Sequence, residues 1–554
     1  MKRHQLKFKP LHLLVVFLLA VGIFLRFYNL DKKIYWIDEV HTSLRVAGYR
    51  KSKFDERIPT REILTVEQLH QFQTLSPENG WNDTIDALAE NAEHAPIYYL
   101  LTRLWMQWFG SSAAVTRSLA AAISLLAFPA IYWLAIALFE SPTVGWFAIC
   151  LLAVSPLHLL YAQEARQYSL WTVTTLLSSV ALLRAMKLPT RKRWAVYGIA
   201  VFLGFYSHLI SGLVFFGQGL YVGLLEKFRW TKRVQYYLWA SLAGGASLIP
   251  WIIVYFDNES TIGQWMGREI PLGNLGKRWV VNLTAVFFDL HSVYPRQLFD
   301  VVGGEDMTQF AWGDVGVYAI IPVVMVVGYA LYFLCRSAPR RVWLFLLSAI
   351  AGNGVFLMLY DIVSGGQRSG IARYLFPSYL AIQLAVAYLF ARKTAIAPQE
   401  APGKALPRWG LPLAKVGNLQ QFFWQLLFVL SIAGGIFSCA ISAQAETWWH
   451  KYSSYYNAEV AAIANQAETP LVISSPKRIS RLTSLSYKLH PKVRLWVLED
   501  DAPIQIPEGF SDVLLFRPSI DLYGAIEQHP NYQLTPLHPF GHIWQVERQS
   551  TAGD

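Results

Sequence analysis

The chain has 554 residues, of which 54% are hydrophobic and 15% charged, and its mean hydropathy is +0.30. These values exclude an ordinary soluble protein, since apolar segments long enough to span a bilayer recur along most of the sequence. The net charge of +11 would suit nucleic acid, but the lysines and arginines lie in short loops between apolar segments, as orientation determinants do. We therefore predict a polytopic α-helical membrane protein that contacts membrane lipids and no nucleic acid.

The cysteines and the N-terminus exclude two further features. Cys150, Cys335 and Cys439 each lie within an apolar segment, so they predict small core residues and neither a disulfide framework nor a metal cluster. Residues 1–10 carry four basic side chains before an apolar run without a signal-peptidase-like cleavage site. We expect an uncleaved first span and a cytoplasmic N-terminus.

Eleven apolar segments are predicted to cross the membrane. They are 11–29, 114–139, 144–162, 169–186, 194–210, 211–226, 234–256, 313–335, 342–363, 374–391 and 420–442. The apolar stretch 96–110 is short and contains Arg103 and Gln107, so we expect it to lie at the membrane surface without crossing. The basic loops then all face the cytoplasm, as the positive-inside rule requires. These loops are 187–193, 227–233, 336–341 and 392–418.

The polar segments define the predicted domains. Within a transmembrane domain of residues 1–445, segment 30–113 is the first outer loop, 257–311 is a second one, and the proline-rich 393–418 is a cytoplasmic linker. Residues 446–554 lose the long apolar runs and alternate helix-like with strand-like stretches. We predict a small α/β domain outside the membrane there, after a last span that brings the chain to the outer face.

Two adjacent acids, Asp38 and Glu39, follow the first span directly. Apolar residues recur at helical spacing from this point, at Ile37, Val40, Leu44 and Ala47, which predicts an amphipathic helix at the membrane surface. Both acids would lie in its first turn, one facing a cavity and the other turned away. Acids there can simply complement the helix dipole, but carboxylates at a bilayer interface are more often functional.

A second acid and a cation, Glu164 and Arg166, end the segment that follows Pro156. The pair can mark where a helix leaves the bilayer. On the functional interpretation, Glu164 faces the same cavity as Asp38, and Arg166 holds an acid or a phosphate.

Two histidines and two arginines complete the candidates on the outer face. His94 and His208 suit either substrate contacts or local hydrogen bonds. Arg368 and Arg373 lie in an outer loop, and the planar guanidinium fork fits a phosphate. The alternative for Arg373 is that its charge reaches the headgroup layer from the end of a span.

Four motifs occur in order along the chain. They are YWIDE at Tyr35–Glu39, HAPIYYLL at His94–Leu101, SPLH at Ser155–His158 with YAQEARQY at Tyr161–Tyr168, and ARYLFP at Ala372–Pro377. Together they resemble the dolichyl-phosphate-mannose–protein mannosyltransferase-like proteins of glycosyltransferase family 39, over roughly residues 10–390. These are membrane enzymes of the C-type glycosyltransferase fold, similar to the lipid A aminoarabinose transferases. The chain departs from the pattern at Ala95, where relatives usually have a second proline.

The resemblance implies a polyprenyl-phosphate sugar as donor and an acid of the first outer loop as general base. Carried over by motif, the base is Asp38, with Glu39 as its neighbour, Glu164 as a second acid and Arg373 as a contact to the lipid phosphate. The other predicted substrate contacts are His94, Arg166, Tyr168, His208, Arg368 and Tyr374.

The acceptor, whether lipid, glycan or protein, stays open at this point. No histidine and acid spacing indicates a metal site, so no cofactor is predicted, and a divalent metal requirement is left open. The competing interpretations are a lipid or polysaccharide transporter and a non-catalytic assembly subunit. Transporters keep their polar residues near the bilayer midplane, whereas here the polar residues cluster at one face.

Overall fold

A computed structural model describes residues 10–60, 62–257, 267, 269–290, 301–302, 305–306, 315–395, 419–499, 504–538 and 541–549. Residues 396–418 of the predicted linker 393–418 and much of the predicted outer loop 257–311 lie outside the described residues.

The described part of the chain is mostly helical. In chain order the first helices are α1 (Pro10–Phe27), α2 (Ile37–Val46), α3 (Lys51–Arg57), α4 (Val66–His70), α5 (Trp81–Ala89), α6 (Ile97–Phe109), α7 (Ala113–Leu125), α8 (Ala127–Phe139), α9 (Pro142–Ala153), α10 (Pro156–Ala162), α11 (Tyr168–Lys187), α12 (Arg191–Ser207), α13 (Ser211–Leu225), α14 (Lys232–Ala246), α15 (Ile249–Asp257) and α16 (Leu272–Thr284). The later ones are α17 (Val315–Tyr318), α18 (Ile320–Ser337), α19 (Arg340–Ile350), α20 (Phe356–Ser364), α21 (Phe376–Lys393), α22 (Leu419–Gln444), α23 (Asn457–Gln466), α24 (Ile479–Ser486) and α25 (Ile520–Glu527).

Each of the eleven segments predicted to span the membrane contains helix. By length and composition, seven helical segments of the described chain are able to cross a bilayer, and nine if each of two bent pairs counts as one span. Of the segments left over, α12 has 17 residues and α13 has 15. The membrane part is thus helical as predicted, and the count of eleven stays a prediction.

The bend between α9 and α10 determines where the second acid lies. It measures 62° and occurs at Ser155-Pro156, where Ser155 is extended (φ −73°, ψ 114°). A proline disfavours the α conformation of the residue before it and cannot continue the preceding hydrogen-bond ladder. The chain therefore breaks and restarts as α10, whose end is followed by Glu164 and Arg166.

Two helices form the centre of the membrane part. The most apolar 18-residue window is 83% buried for α11 and 94% buried for the segment that contains α21, against 33% for α1. Helix α11 packs against α8 and α12, and α21 packs against α9, α18 and α19. The residues at or just before the starts of these two helices therefore lie inside the protein.

The strands form one large sheet and one small pair. They are β1 (Ile63–Thr65), β2 (Val301–Val302), β3 (Glu305–Asp306), β4 (Pro470–Ser474), β5 (Arg494–Val497), β6 (Asp512–Phe516), β7 (Tyr532–Pro536) and β8 (Ile543–Arg548). The large sheet has the order β1-β5-β4-β6-β8-β7, in which β4 is parallel to β5 and β6 and the other pairs are antiparallel. Strand β4 is buried along its whole length, as its apolar sequence requires for a central parallel strand.

One edge strand of the large sheet, β1, comes from the N-terminal half of the chain. Strand β1 pairs with β5 in the register Ile63 to Trp496 and Thr65 to Arg494. Residues of α2, α3 and α4, among them Leu44, Phe54 and Leu69, share one apolar core with α23, α24 and the strands. Helix α2 is consequently packed between the sheet layer on one side and the membrane helices on the other.

Candidate active site

Helix α2 starts at Ile37, as the hydrophobic spacing predicts. Val40, Leu44 and Ala47 are fully buried, and the backbone N–H of Trp36 donates to Glu39 Oε2 (3.4 Å) at the N-terminus. The two acids of the first turn then have different partners and different exposure.

Glu39 is completely buried and saturated with hydrogen bonds. Arg117 donates to both carboxylate oxygens at 2.7 Å, Lys451 Nζ lies 3.2 Å from Oε2, and the backbone N–H of Ala165 donates to Oε1 at 2.9 Å. Burial raises the pKa of Glu39, but Arg117 and then Lys451 outweigh it, and the pKa lies below its ordinary value. This carboxylate is a fixed negative charge.

Asp38 lies at an accessible position beside two guanidinium groups. Its side chain is 27% exposed, and Oδ2 lies 3.6 Å from Arg373 Nη2 and 3.9 Å from Arg166 Nη2. Both distances exceed ordinary hydrogen-bond length. The carboxylate is therefore close to positive charge without being closed off by it.

Arg373, just before α21, lies among four aromatic rings. Its guanidinium carbon is 5.3 Å from the centre of the Trp36 ring, 5.9 Å from Tyr168, 5.6 Å from Tyr374 and 5.2 Å from Tyr452. Nε and Nη1 are buried and have no hydrogen-bond partner among the described residues. Buried donors without a partner lower the stability of the folded protein. An anion bound to this guanidinium would supply the missing hydrogen-bond acceptors.

Glu164 is the second buried acid of the site. Lys451 Nζ lies 3.1 Å from its Oε1, and His450 Nε2 lies 3.0 Å from the same oxygen. Burial raises the pKa of Glu164, but Lys451 and His450 lower it more, to about 2. Its other oxygen, Oε2, has no hydrogen-bond partner in the described part of the chain.

Arg166 connects α2 to the turn before α11. Its Nη1 donates to Thr42 Oγ1 (3.3 Å) and to the carbonyl of Asp38 (3.4 Å). Burial would lower the pKa of Arg166, but Tyr99 and Asp38 outweigh it and raise the pKa. Arg166 therefore stays charged inside the protein.

His208 lies next to Tyr168 and Tyr374, the two predicted tyrosines that surround the Arg373 guanidinium. His208 stacks on Trp171 with ring centres 4.4 Å apart and is 5.9 Å from Tyr168 and 6.3 Å from Tyr374. His208 Nδ1 also accepts from the backbone N–H of Ile210, which is the local hydrogen bond considered as an alternative.

His94 and Arg368 have partners of their own. His94 stacks on Tyr99 (5.8 Å), its pKa is well below the ordinary value because of burial and then Arg45, and Nε2 lies 3.8 Å from Glu93. Arg368 pairs with Asp361 at 3.6 Å and lies over the Tyr360 ring. None of its described contacts is with another predicted site residue.

The sequence interpretation missed two cations, Arg117 and Lys451. Arg117 stands alone in the apolar run Ala113–Leu125, and an ionisable side chain inside a membrane segment is itself a functional signal. Lys451 follows the last membrane helix in the stretch WWHKY and gives no comparable signal. It reaches Glu39 across 412 positions of sequence, which local pattern cannot reveal.

Within the described ranges, no group of three or more histidines, cysteines or acids is arranged to hold a metal ion. The positive charge that the structure places beside Asp38 comes from Arg166 and Arg373.

The chain is similar to known families of membrane proteins. Residues 93–254 match the family described as dolichyl-phosphate-mannose-protein mannosyltransferase. The apo structure of ArnT from Cupriavidus metallidurans is 13% identical, with 96% of this chain and 97% of that chain covered and a TM-score of 0.51. The structure of the same protein bound to undecaprenyl phosphate is 14% identical, with 98% and 99% covered and a TM-score of 0.49.

A yeast relative matches over a smaller part. The S. cerevisiae protein O-mannosyltransferase Pmt1-Pmt2 complex bound to the sugar donor is 14% identical, with 46% of this chain and 34% of that chain covered and a TM-score of 0.30. None of the curated proteins matches the chain. The predicted family resemblance is confirmed over residues 93–254, which contain the second and third of the four motifs, and the fold is similar to that of ArnT.

Proposed function

We propose that the protein is a membrane glycosyltransferase that moves a sugar from a polyprenyl-phosphate-linked donor to an acceptor on the outer face of the membrane. The observation that carries this proposal is the accessible carboxylate of Asp38 beside the two guanidinium groups of Arg166 and Arg373. The family matched by residues 93–254 is named for a dolichyl-phosphate-mannose donor, and the site offers positive charge for the phosphate of such a donor.

The reaction needs one proton acceptor and one anion-stabilising group. Asp38 takes the proton of an acceptor hydroxyl while the hydroxyl oxygen bonds to the anomeric carbon. The bond from that carbon to the phosphate oxygen breaks, and the lipid phosphate leaves with the electron pair. Attack from the face opposite to the leaving phosphate inverts the anomeric centre.

Arg373 is the proposed phosphate contact. Its free Nε and Nη1 can donate to the leaving group, and charge-assisted bonds of this kind strengthen as negative charge develops. Tyr168, Tyr374 and Trp36 exclude water around the guanidinium and so increase the strength of its interaction with an anion. Arg166 supplies a second positive charge near the same oxygen of Asp38.

The two buried acids have supporting roles in this proposal. Glu39 is fully paired and holds the start of α2 against Arg117, so it positions Asp38. Glu164 Oε2 has no hydrogen-bond partner among the described residues, and it would accept a hydrogen bond from a hydroxyl of the donor or acceptor. The substrate contacts of His94, His208 and Arg368 remain predictions, and Arg368 is the least supported because Asp361 already pairs with it.

The proposed orientation has a structural argument besides the basic loops. Glu140 Oε1 lies 3.0 Å from both Lys187 Nζ and Arg341 Nη2. Three loops that the orientation places on the cytoplasmic side therefore meet at one end of the helices. We propose a plasma- or inner-membrane location with the N-terminus inside and the α/β layer outside.

The experiment uses the purified protein in lipid nanodiscs with undecaprenyl-phosphate-linked radiolabelled mannose as the probe donor. Membrane lipids and glycans from a strain that lacks the protein serve as acceptors. We expect the wild-type protein to transfer the label to an acceptor in these extracts. The labelled product should match, by mass spectrometry, a glycosylated species that the wild-type strain contains and the deletion strain lacks. The Asp38→Asn variant should transfer no label. Movement of the intact donor across vesicle membranes without transfer would identify a transporter instead.

A further inference from the structure

A cleft bordered by arginines lies in the α/β layer, outside the site described above. Its walls include three arginines, Arg478, Arg481 and Arg517, and two aromatic residues, Tyr523 and Trp544. It is an open cleft of about 320 Å³, at the lower end of the range for small-molecule sites.

The cleft lies at the carboxyl ends of two neighbouring parallel strands whose following connections cross opposite faces of the sheet. Strands β4 and β6 are parallel neighbours, Arg478 follows the carboxyl end of β4, and Arg517 follows that of β6. The next helices pack on opposite faces, since Leu482 of α24 and Leu522 of α25 belong to different apolar cores. In open sheets of this kind, ligands bind in the crevice at the carboxyl ends of the strands where the connections diverge.

The charge of the cleft is strongly positive. Neither Arg478 nor Arg481 forms a side-chain hydrogen bond or ion pair with the described residues, and Arg478 Nε is buried without a partner. Burial and then the neighbouring Arg478 lower the pKa of Arg481. Like charges gathered in a half-buried cleft repel each other, so the arrangement is costly unless an anion binds there.

Two further features suit an anion. Arg517 has a left-handed backbone (φ 41°), unusual for a residue with a side chain, and its Nη2 lies 3.4 Å from His542. Helix α25 starts at the cleft with Ser519 as its N-cap, so the positive end of its dipole faces the same space. The nearby carboxylates have partners of their own, because Asp521 lies 4.0 Å from Lys477 and Glu527 accepts from Tyr523.

The aromatic pair makes the cleft different from a simple phosphate site. The rings of Tyr523 and Trp544 lie 5.1 Å apart and are inclined by 64°, and both border the arginines. Aromatic faces pack well against the apolar C–H face of a sugar ring, while a guanidinium fork binds phosphate or carboxylate through two parallel bonds. We propose that this cleft binds a saccharide that carries a phosphate or carboxylate group.

The test measures binding by the full-length protein in phosphatidylcholine nanodiscs, by titration calorimetry. The probes are glucose 6-phosphate, glucuronate, glucose and inorganic phosphate. We expect the two charged sugars to bind more tightly than glucose or inorganic phosphate. Each of Arg478→Gln and Arg481→Gln should weaken the charged sugars about tenfold or more, as expected for loss of a charge-assisted bond.

Matched variants separate the cleft from general effects. Arg548→Gln removes an arginine of the same sheet that pairs with Glu508 outside the cleft, and it should leave binding unchanged. Tyr523→Leu should weaken glucose 6-phosphate more than inorganic phosphate. The assignment would be overturned by unchanged binding in both arginine variants, by inorganic phosphate binding as tightly as glucose 6-phosphate, or by preference for anionic lipid vesicles over every sugar.

This inference goes beyond the proposed transfer reaction, and its readout requires no turnover. Arg478→Gln should lose saccharide binding and keep normal sugar transfer, whereas Asp38→Asn should keep saccharide binding and lose transfer. Either result would show that the cleft and the transfer site can be tested independently.

Discussion

Two neighbouring acids show how little sequence distance says about role. Asp38 and Glu39 share one helical turn, yet Glu39 is enclosed by Arg117 and Lys451 whereas Asp38 is partly exposed beside Arg373. A carboxylate that is saturated with donors is a poor proton acceptor, because protonation would break its ion pairs. The accessible neighbour is the better candidate for the base.

The first prediction concerns Asp38. Asp38→Asn keeps the shape of the side chain and removes the proton acceptor, so transfer should fall about 10²–10⁴-fold while the protein still inserts and binds donor. Asp86→Asn, at an exposed acid in the same segment, is the matched control and should be neutral. The assay is transfer by purified variants in lipid. Near-normal transfer by Asp38→Asn would move the catalytic role elsewhere.

The second prediction concerns Arg373. Arg373→Lys keeps the positive charge but loses the planar fork, so donor use should weaken, by about 1.5–3 kcal/mol for each charge-assisted bond lost. Undecaprenyl phosphate binding, followed by native mass spectrometry, measures this directly. Arg50→Lys is the control, since Arg50 is exposed and pairs with Asp86. Wild-type KM and kcat in Arg373→Lys would contradict the phosphate assignment.

At the scale of elements, helix α2 depends on a buried ion pair to a membrane helix. Removing one partner of a buried pair leaves an uncompensated charge and typically costs about 3–5 kcal/mol. Arg117→Met should therefore lower the thermal stability of the protein in nanodiscs.

The double variant Glu39→Gln with Arg117→Met removes both charges of this pair. It should recover part of the stability, because Lys451 keeps Glu164 as a partner. Equal unfolding temperatures for the single and double variants would show that the pair is not coupled.

The second acid gives a prediction on pH. The pKa of Glu164 is about 2 in the folded protein against 4.5 ordinarily. A lowered folded pKa stabilises the protein fully above the unfolded pKa, and this contribution is lost as pH falls from about 4.5 to about 2. The difference in unfolding temperature between wild type and Glu164→Gln should therefore shrink from about pH 6 to about pH 3. A constant difference would contradict the proposed pairing with Lys451.

The sequence predicted local elements better than the contacts between them. The period of the apolar residues located α2, because it is a property of a few neighbouring residues. We expected one continuous span at 144–162, and the 62° bend at Ser155-Pro156 differs from that prediction. The addition of β1 to the sheet and the approach of Lys451 to Glu39 depend on residues hundreds of positions apart. Such contacts follow from packing of the whole chain, which a single sequence does not express locally.

At the scale of the molecule, charged side chains gather at the two opposite ends of the membrane helices. One end carries Glu140 with Lys187 and Arg341, and the candidate site lies at the starts of α11 and α21. Helix α11 begins at Tyr168 and ends at Lys187, so these two groups lie about 28 Å apart along its axis. That length is close to the thickness of a bilayer core, as the proposed position of the site at one membrane surface requires.

The last prediction is the orientation itself. With 96–110 at the surface and eleven spans, Ser207 lies on the outer side and Thr190 on the cytoplasmic side, at opposite ends of α12. Thr190→Cys, in a background with the three native cysteines replaced, should react with a membrane-impermeant maleimide only after the cells are opened. Ser207 is fully buried, so Leu209→Cys, two positions further along, is the better outer probe and should react in intact cells. Labelling of Thr190→Cys in intact cells would reverse the arrangement and place Asp38 on the cytoplasmic side, where a different donor pool would have to supply the reaction.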